Sequence, residues 1–174
     1  MTTNPDKVRI LRERARALAQ PLAVKAAEPT LEVVEFSLAN ERYGIEVSHV
    51  REVFPFKELT PVPCLPAYMP GIVNVRGRMV AVLDLRRFFA LPEAGIHDLH
   101  KVLILESDAV ELGILADEVV AVCRLPLSRL QASLPTLTGV RERYLRGVTG
   151  EGLAVLDAGK LLADEKLTVN EEVL

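Results

Sequence analysis

Two segments of this chain repeat one pattern: an apolar run, a glycine-containing turn, a second apolar run and an aspartate. They span residues 68–85 and 145–157. The apolar runs lack helical spacing, and Gly77 allows the positive φ with which a tight hairpin reverses, so each segment is predicted to be a β-hairpin. Asp84 and Asp157 follow the second strands. They are predicted to cap short helices, because an aspartate accepts the free amides of a first helical turn.

The repeat extends beyond the hairpins. The letters AVLD at residues 81–84 recur at 154–157, and YGI at 43–45 recurs as LGI at 112–114. The two halves therefore have the same order of strands, and short strands with regular turns predict an all-β fold of two small barrels. In a chain of 174 residues each half is near the lower size of a stable domain. The barrels are therefore expected to share one hydrophobic core.

The first half is preceded by residues 1–30, which are predicted to form a basic helix, over 5–20, and an alanine- and proline-rich linker. The thin apolar stripe of this helix leaves two interpretations open: a frayed, solvated tail, or a helix that docks on a partner or an anionic surface. Alternating apolar residues in 32–38 predict a half-buried strand. Four prolines within 61–70 predict a segment that wraps a sheet edge, because proline cannot donate to a ladder.

The second half begins after residues 91–98, whose proline, glycine and charges are typical of a boundary. Residues 102–105 are apolar throughout, so both faces of this strand should be covered. Residues 126–143 contain prolines, serines and a glycine and are predicted to be a long crossing loop. A short helix over 157–162 and an acidic tail are expected at the end.

Composition argues against several classes of protein. A net charge of −3, a pI near 5.7 and an aromatic content of 5% provide neither the basic groove nor the stacking rings of a nucleic-acid binder. No apolar run reaches the length of a membrane span, so direct membrane insertion is not expected. Cys64 and Cys123 lack a metal or redox spacing and are expected to be reduced thiols in a cytoplasmic protein.

Titratable residues form no recognisable catalytic pattern. His49, His97 and His100 are scattered, and no GxSxG motif is present. His97 and His100 lack a cysteine or an acidic partner at the spacing of a metal site, and are more typical of surface residues. The turn at residues 150–152 lacks the lysine of a phosphate loop. The sequence therefore predicts no enzyme, no cofactor and no metal site.

The first hairpin carries the best candidates for a binding site. Arg76 and Arg78 flank its turn, and Asn74 lies beside them. They are either the solvated tip of a hairpin or a site that binds a partner, since exposed loop residues often carry function. Glu52 has the same two interpretations, an exposed strand residue or an acidic contact. Val50, next to it, is either core or the apolar floor of a groove.

An ordered set of short motifs resembles the CheW family of chemotaxis coupling proteins, and the resemblance covers residues 31–163. Each motif alone is weak, and their order along the chain is specific. The motifs are Phe36-x-Leu38, Tyr43-Gly44-Ile45, Val50-Arg51-Glu52-Val53, Thr60-Pro61-Val62-Pro63, Gly71-Ile72-Val73-Asn74-Val75-Arg76-Gly77, Val82-Leu83-Asp84-Leu85, Gly113-Ile114-Leu115-Ala116-Asp117-Glu118-Val119 and Tyr144-Leu145-Arg146-Gly147-Val148.

The resemblance implies a fold of two intertwined five-stranded SH3-like barrels around a shared hydrophobic core. It implies a non-enzymatic adaptor in the cytoplasm, recruited to receptor arrays at the inner membrane. Its partners would be the tips of methyl-accepting chemoreceptors and a CheA-type histidine kinase. A small-barrel nucleic-acid binder or a general interaction module is the alternative. The implied receptor-binding residues are Glu52, Asn74, Arg76, Gly77, Arg78 and Val50; Arg146 and Gly147 are the candidate kinase contacts.

The expected organisation is an N-terminal extension at 1–30, a first barrel at about 31–92, a second at about 99–163 and a tail at 164–174. Three features depart from the family pattern: the basic helix before residue 21, which the shortest members lack, and two single residues. Ala81 stands where a proline is usual, and Gly159 is expected to weaken the last helix by up to about 1 kcal/mol relative to alanine.

Overall fold

The computed structural model describes residues 13–14, 28–92, 101–132 and 139–168, which are mostly β-strand with short helices. Of the predicted N-terminal helix it includes only Glu13 and Arg14, both helical and exposed. The rest of that helix, residues 93–98 of the predicted boundary, and His97 and His100 lie outside the described residues.

The described elements are short. The strands are β1 (Thr30–Leu38), β2 (Glu41–Glu46), β3 (Val50–Pro55), β4 (Gly71–Val75), β5 (Arg78–Leu83), β6 (Lys101–Glu106), β7 (Glu111–Ala116), β8 (Glu118–Pro126), β9 (Leu130–Gln131), β10 (Leu145–Thr149) and β11 (Leu153–Leu156). The helices are α1 (Leu85–Phe88), α2 (Val140–Tyr144) and α3 (Ala158–Ala163). Single 3₁₀ turns occupy Val47–His49 and Leu127–Arg129.

The strands form two sheets that exchange hairpins between the halves of the chain. The six-stranded sheet has the order β8-β1-β2-β11-β10-β9, and the five-stranded sheet has the order β3-β6-β7-β5-β4. Each sheet therefore combines strands of both halves and is not confined to one of the ranges 31–92 and 99–163. The all-β fold is confirmed, and the two sheets are consistent with two intertwined SH3-like barrels.

The exchanged hairpins meet in parallel pairs. β2 pairs with β11, and β5 pairs with β7; the other strand pairs are antiparallel. Gly44 lies opposite Val155 in the first parallel pair, and Gly113 lies opposite Val82 in the second. These are equivalent residues of the two sequence repeats. The predicted repetition of strand order is therefore confirmed down to the register.

One hydrophobic core joins the two sheets. Phe36, Tyr43 and Leu156 enter it from the six-stranded sheet, and Leu83 and Leu103 enter it from the five-stranded sheet; each is at most 1% exposed. Burial of apolar surface is the main favourable term in folding. Because neither sheet could bury this surface alone, the two are expected to fold together. The predicted shared core is confirmed.

β1 is buried on both faces, whereas its alternation predicted one exposed face. Val34, Phe36 and Leu38 face the shared core, while Leu31 and Val33 belong to a second cluster with Leu153 and Val155, inside the six-stranded sheet. The prediction was wrong because the sheet curls over its own inner face. Curling of this kind cannot be read from the period of one strand.

The two aspartates cap their helices as predicted. The Asp84 carboxylate accepts a hydrogen bond from the Arg86 amide at 3.0 Å, and the Asp157 carboxylate accepts one from the Lys160 amide at 3.0 Å. Helix α1 is a single turn that ends at Phe88. Helix α3 forms despite Gly159, because Leu161 and Leu162 are buried in the shared core and tertiary packing outweighs the weak propensity.

The region 126–143 is only partly the predicted loop. β8 continues to Pro126, the turn Leu127–Arg129 follows, and β9 pairs with β10 across the sheet; α2 begins at Val140, and 133–138 lie outside the described residues. The strand β9 has two residues and little pattern of its own. Pairing with β10 therefore accounts for β9 better than any local sequence pattern does.

The proline-rich segment covers a sheet edge, as predicted. β4 is the last strand of the five-stranded sheet, and Thr60 forms a two-way backbone bridge with Ile72 on its outer side, with N–O distances of 2.8 and 2.9 Å. The bridge occupies edge groups that would otherwise pair with another chain.

Gly71→Ala is expected to lower the free energy of unfolding by about 1–3 kcal/mol, because the added Cβ would lie 2.2 Å from the Thr60 carbonyl oxygen, a backbone atom. Urea unfolding measures the effect. Gly150→Ala is the control, since a Cβ there meets nothing within 4 Å. A Gly71→Ala variant as stable as the control would show that the bridge at Thr60 moves away freely.

The start of the predicted tail, 164–174, is anchored. Leu167 is fully buried in the shared core, and the Tyr144 hydroxyl donates a hydrogen bond to the Asp164 carboxylate. This bond is the main reason why the pKa of Asp164 lies below its ordinary value of 3.8. Burial, with the same bond second, raises the pKa of Tyr144 to about 12.

Tyr144→Phe keeps the packed ring and removes the bond, so it should lower stability by about 1 kcal/mol at neutral pH. A carboxyl whose pKa is depressed by folding stabilises the fold above its unfolded pKa, and this contribution disappears as the pH falls through its folded pKa. The difference from the natural chain should therefore shrink progressively in urea unfolding as the pH falls below 3.8. Tyr68→Phe is the control; a constant difference at all pH values would contradict this explanation.

Candidate functional site

The hairpin of β4 and β5 presents a rigid turn. Arg76 and Gly77 have φ values of 51° and 88°, so both central residues are left-handed, as a two-residue turn between twisted strands requires. The Asn74 side-chain oxygen accepts a hydrogen bond from the Gly77 amide at 2.8 Å and closes the turn. The Arg76 side chain is 78% exposed. The turn therefore holds one guanidinium well out into solvent.

Glu52 links the turn to a distant strand. Its carboxylate lies 3.4 Å from the guanidinium of Arg76 and 3.4 Å from that of Arg78, and its side chain is only 20% exposed. Glu52 is on β3, which β6 and β7 separate from β5 in the sheet. The contact therefore requires the sheet to curl until its first strand meets the hairpin. Three of the predicted partner-binding residues are brought together in this way.

The cluster extends to three charged residues that the sequence interpretation missed. Glu111 pairs with Arg78, and with Arg51 at 3.0 Å; Arg51 also lies 2.5 Å from Glu106. Glu106 and Glu111 face each other across β6 and β7, where two like charges repel. The two arginines relieve this repulsion. We call the six residues Arg51, Glu52, Arg76, Arg78, Glu106 and Glu111 the rim network.

Only one residue of the rim network extends freely from it. The side chains of Arg78, Glu52 and Glu111 are at most 35% exposed and lie in contact with opposite charges. Arg76 has a single contact, with Glu52, and more than twice the exposure of Arg78. Surface ion pairs of this length contribute little to stability. Arg76 is thus the charge that a partner can take over with the least loss.

Apolar residues around the rim differ in exposure. Val50, one of the predicted partner-binding residues, is half-buried and packs against the shared core. Val53 on the same strand is 40% exposed, and Met79, next to the hairpin turn, is 48% exposed. Val53 and Met79 are thus exposed large apolar residues that directly follow Glu52 and Arg78 in the sequence.

The candidate kinase contacts lie in the other sheet. Arg146 on β10 pairs with Glu46 on β2 at 2.9 Å. Gly147 leaves room for β9, because a Cβ at this position would lie 2.6 Å from the Leu130 side chain and 2.7 Å from the Gln131 carbonyl oxygen. The structural role of Gly147 is therefore close packing, and its neighbour Arg146 carries the exposed charge.

Neither a metal-ligand cluster nor a membrane-spanning helix occurs in the described parts of the chain. There, no group of three or more histidine, cysteine, aspartate or glutamate side chains could hold a metal ion. No helix among the described residues is both long and apolar enough to cross a membrane.

Comparisons with known proteins agree with this architecture. A family model described as a CheW-like domain matches residues 32–166. The chain is 32% identical to a chemotaxis protein CheW of Treponema pallidum, over 84% of this chain and 89% of the relative. It is 30% identical to a protein FrzA of Myxococcus xanthus, over 78% and 88% of the two chains.

A solved structure supports the fold. The scaffolding protein TtCheW from Thermoanaerobacter tengcongensis aligns with a TM-score of 0.65 and 24% identity, over 78% of this chain and 90% of that one. The resemblance inferred from the ordered motifs is confirmed. This chain belongs to the CheW-like family.

Proposed function

We propose that this protein is a coupling scaffold of a chemosensory array. It joins the cytoplasmic tips of methyl-accepting chemoreceptors to a CheA-type histidine kinase and catalyses no reaction itself. The observation that carries the proposal is the rim network, in which a rigid turn holds Arg76 in solvent while its neighbours neutralise one another. Membership of the CheW-like family supports the same role.

The receptor contact is assigned to the rim. Receptor tips are helical hairpins, and a helix that binds a surface offers side chains at i, i+3, i+4 and i+7. A carboxylate on such a helix can pair with Arg76, while Val53 and Met79 provide apolar area beside it. In this assignment Glu52, Asn74, Gly77 and Arg78 act mainly by holding Arg76 in place. Val50 acts through the core beneath them.

The kinase contact is assigned to the six-stranded sheet. Arg146 lies on its surface in a pair with Glu46, and Gly147 lets the adjacent strand approach closely. Two partners on two different sheets can bind together without competing. The shared core between the sheets is close-packed, and packed cores shift between discrete arrangements more readily than they deform continuously. A displacement at the receptor side can therefore reach the kinase side.

Reversible contacts of this kind are expected to bury roughly 600–800 Å² per partner. Their strength in an array comes from tethering, which raises the effective concentration of each partner. The protein acts in the cytoplasm and is held at the inner membrane through the receptors. The alternative of a small-barrel nucleic-acid binder is not favoured, since three glutamates neutralise the three arginines of the rim network.

Arg76→Glu should abolish co-precipitation of a receptor cytoplasmic fragment, because the substitution places a negative charge next to Glu52 and opposite the partner carboxylate. The side chain is 78% exposed, so circular dichroism and urea unfolding should be almost unchanged. Arg124→Glu is the matched control, an exposed arginine paired with Glu32 on the other sheet. Receptor binding at the natural level in Arg76→Glu would remove Arg76 from the contact.

Arg146→Glu should weaken co-precipitation of the kinase regulatory domain and leave receptor binding intact, since Arg146 and the rim network lie on different sheets. The same assays on Arg76→Glu should give the opposite pattern. If Arg146→Glu binds the kinase normally, the kinase contact lies elsewhere on the protein. If both variants lose both partners, the assignment of separate surfaces is wrong.

A further inference from the structure

The two barrels are repeats of each other, so their interior positions can be matched through strand register. Glu35 lies opposite Gly44 across β1 and β2, as Ile104 lies opposite Gly113 across β6 and β7. Glu35 therefore occupies the position that Ile104 has in the other barrel. Ile104 is fully buried in an apolar cluster. A charged side chain at this position breaks the repeat.

Two further interior positions differ in the same direction. Cys123 lies opposite Val33, as Phe54 lies opposite Val102, so a thiol stands where the other barrel has an aromatic ring. The third position is found from the antiparallel hairpins, in which Gly147 lies opposite Val155 and Gly71 lies opposite Val82. Thr149 and Val73 each follow these glycines by two residues, so Thr149 matches Val73.

At these three positions, one sheet has packed apolar side chains and the other has side chains that line a cavity. Ile104, Phe54 and Val73 pack together with other aliphatic residues inside the five-stranded sheet. In the six-stranded sheet Glu35, Cys123 and Thr149 line a cavity of about 570 Å³. Sites for small molecules usually measure about 300–1,000 Å³. The matching positions are therefore filled by packed apolar side chains in one barrel and line a cavity in the other.

Glu35 forms the inner wall of this cavity. Its side chain is 10% exposed, and one carboxylate oxygen accepts a hydrogen bond from the Arg42 guanidinium at 2.6 Å. Within the described residues, the second oxygen has one partner, the Cys123 thiol at 3.9 Å. Burial, and secondly Glu35, raise the pKa of Cys123, so this thiol remains a weak donor. A buried carboxylate oxygen with so weak a partner is suited to a stronger donor.

Three arginines outnumber the one carboxylate that lines the cavity besides Glu35, which is Glu151. Arg124 and Arg129 line the cavity together with Arg42, whose side chain is 47% exposed. Arg124 is held by Glu32 at 2.6 Å, whereas Arg129 forms no ion pair with any described residue. The site thus offers a carboxylate acceptor inside and guanidinium donors at the opening. Guanidinium groups bind carboxylates with two parallel hydrogen bonds.

We propose that this cavity binds a small zwitterion of the amino-acid or short-peptide type. The ligand ammonium donates to the second oxygen of Glu35, and the ligand carboxylate accepts from Arg129 and Arg42. Thr149 and the hydrocarbon wall of Leu125 and Leu153 contact the part between the two charges. The site lies in the six-stranded sheet, away from the rim network.

The test uses the full chain, labelled with ¹⁵N and titrated in NMR with each standard L-amino acid and with glycylglycine. At least one of them should bind saturably and shift the amides around Glu35 and Thr149. Its N-acetylated form lacks the ammonium, and its amide lacks the carboxylate. Each should bind roughly tenfold or more weakly, since each loses a charge-assisted hydrogen bond. Absence of saturable binding throughout the panel, or equal binding of all three forms, would overturn the proposal.

Variants locate the site. Glu35→Gln and Arg129→Gln should each weaken binding roughly tenfold or more. The triple variant Glu35→Ile, Cys123→Phe, Thr149→Val introduces the apolar residues of the matching positions in the five-stranded sheet and should abolish binding. Glu118→Gln, an exposed carboxylate of β8 outside the cavity, should bind as the natural chain does. If the triple variant fails to fold by circular dichroism, the two single variants decide. Unchanged affinity in both would contradict the site.

Discussion

The parallel pairing of exchanged hairpins is the constraint on which this structure depends. β2 joins β11 and β5 joins β7, so each sheet is completed by a hairpin from the other half of the chain. Between the sheets, one core is filled from both sides. Parallel pairing needs a long connection and cannot form from a single hairpin. The two sheets are therefore expected to fold together and to be held against each other by the shared core.

The rim network follows from this frame. Curling of the five-stranded sheet brings β3 to the β4–β5 hairpin, and the charges of four strands then meet at one edge. Alternating signs stabilise Glu106 and Glu111, which would otherwise repel each other across their strands. The same neutralisation leaves Arg76 as the exposed positive charge of the network. A scaffold needs such a charge in a reproducible position, because the free energy required to order a flexible binding surface lowers the affinity of the complex.

The two barrels share a backbone plan and differ in what fills them. One is closed by Phe54, Ile104 and Val73, and supports the rim network. The other has Cys123, Glu35 and Thr149 in the matching positions and keeps an open polar space. Strand register depends on backbone pairing and on the glycines of the two parallel strand pairs. Interior side chains of one copy can therefore change and form a site while the other copy remains rigid. This difference between the barrels is found by comparing residues at the same strand-pairing positions.

The amino-acid sequence was enough to predict the repeated hairpins, both aspartate caps and the turn at Arg76 and Gly77, because each depends on neighbours a few residues apart. The ordered motifs also determined the family. The burial of both faces of β1, the strand β9 and the inclusion of Glu111 in the rim network depend instead on contacts between distant parts of the chain. The physical reason is sheet curling: it places side chains from strands far apart in sequence within a few ångströms of each other, and no local spacing encodes that distance.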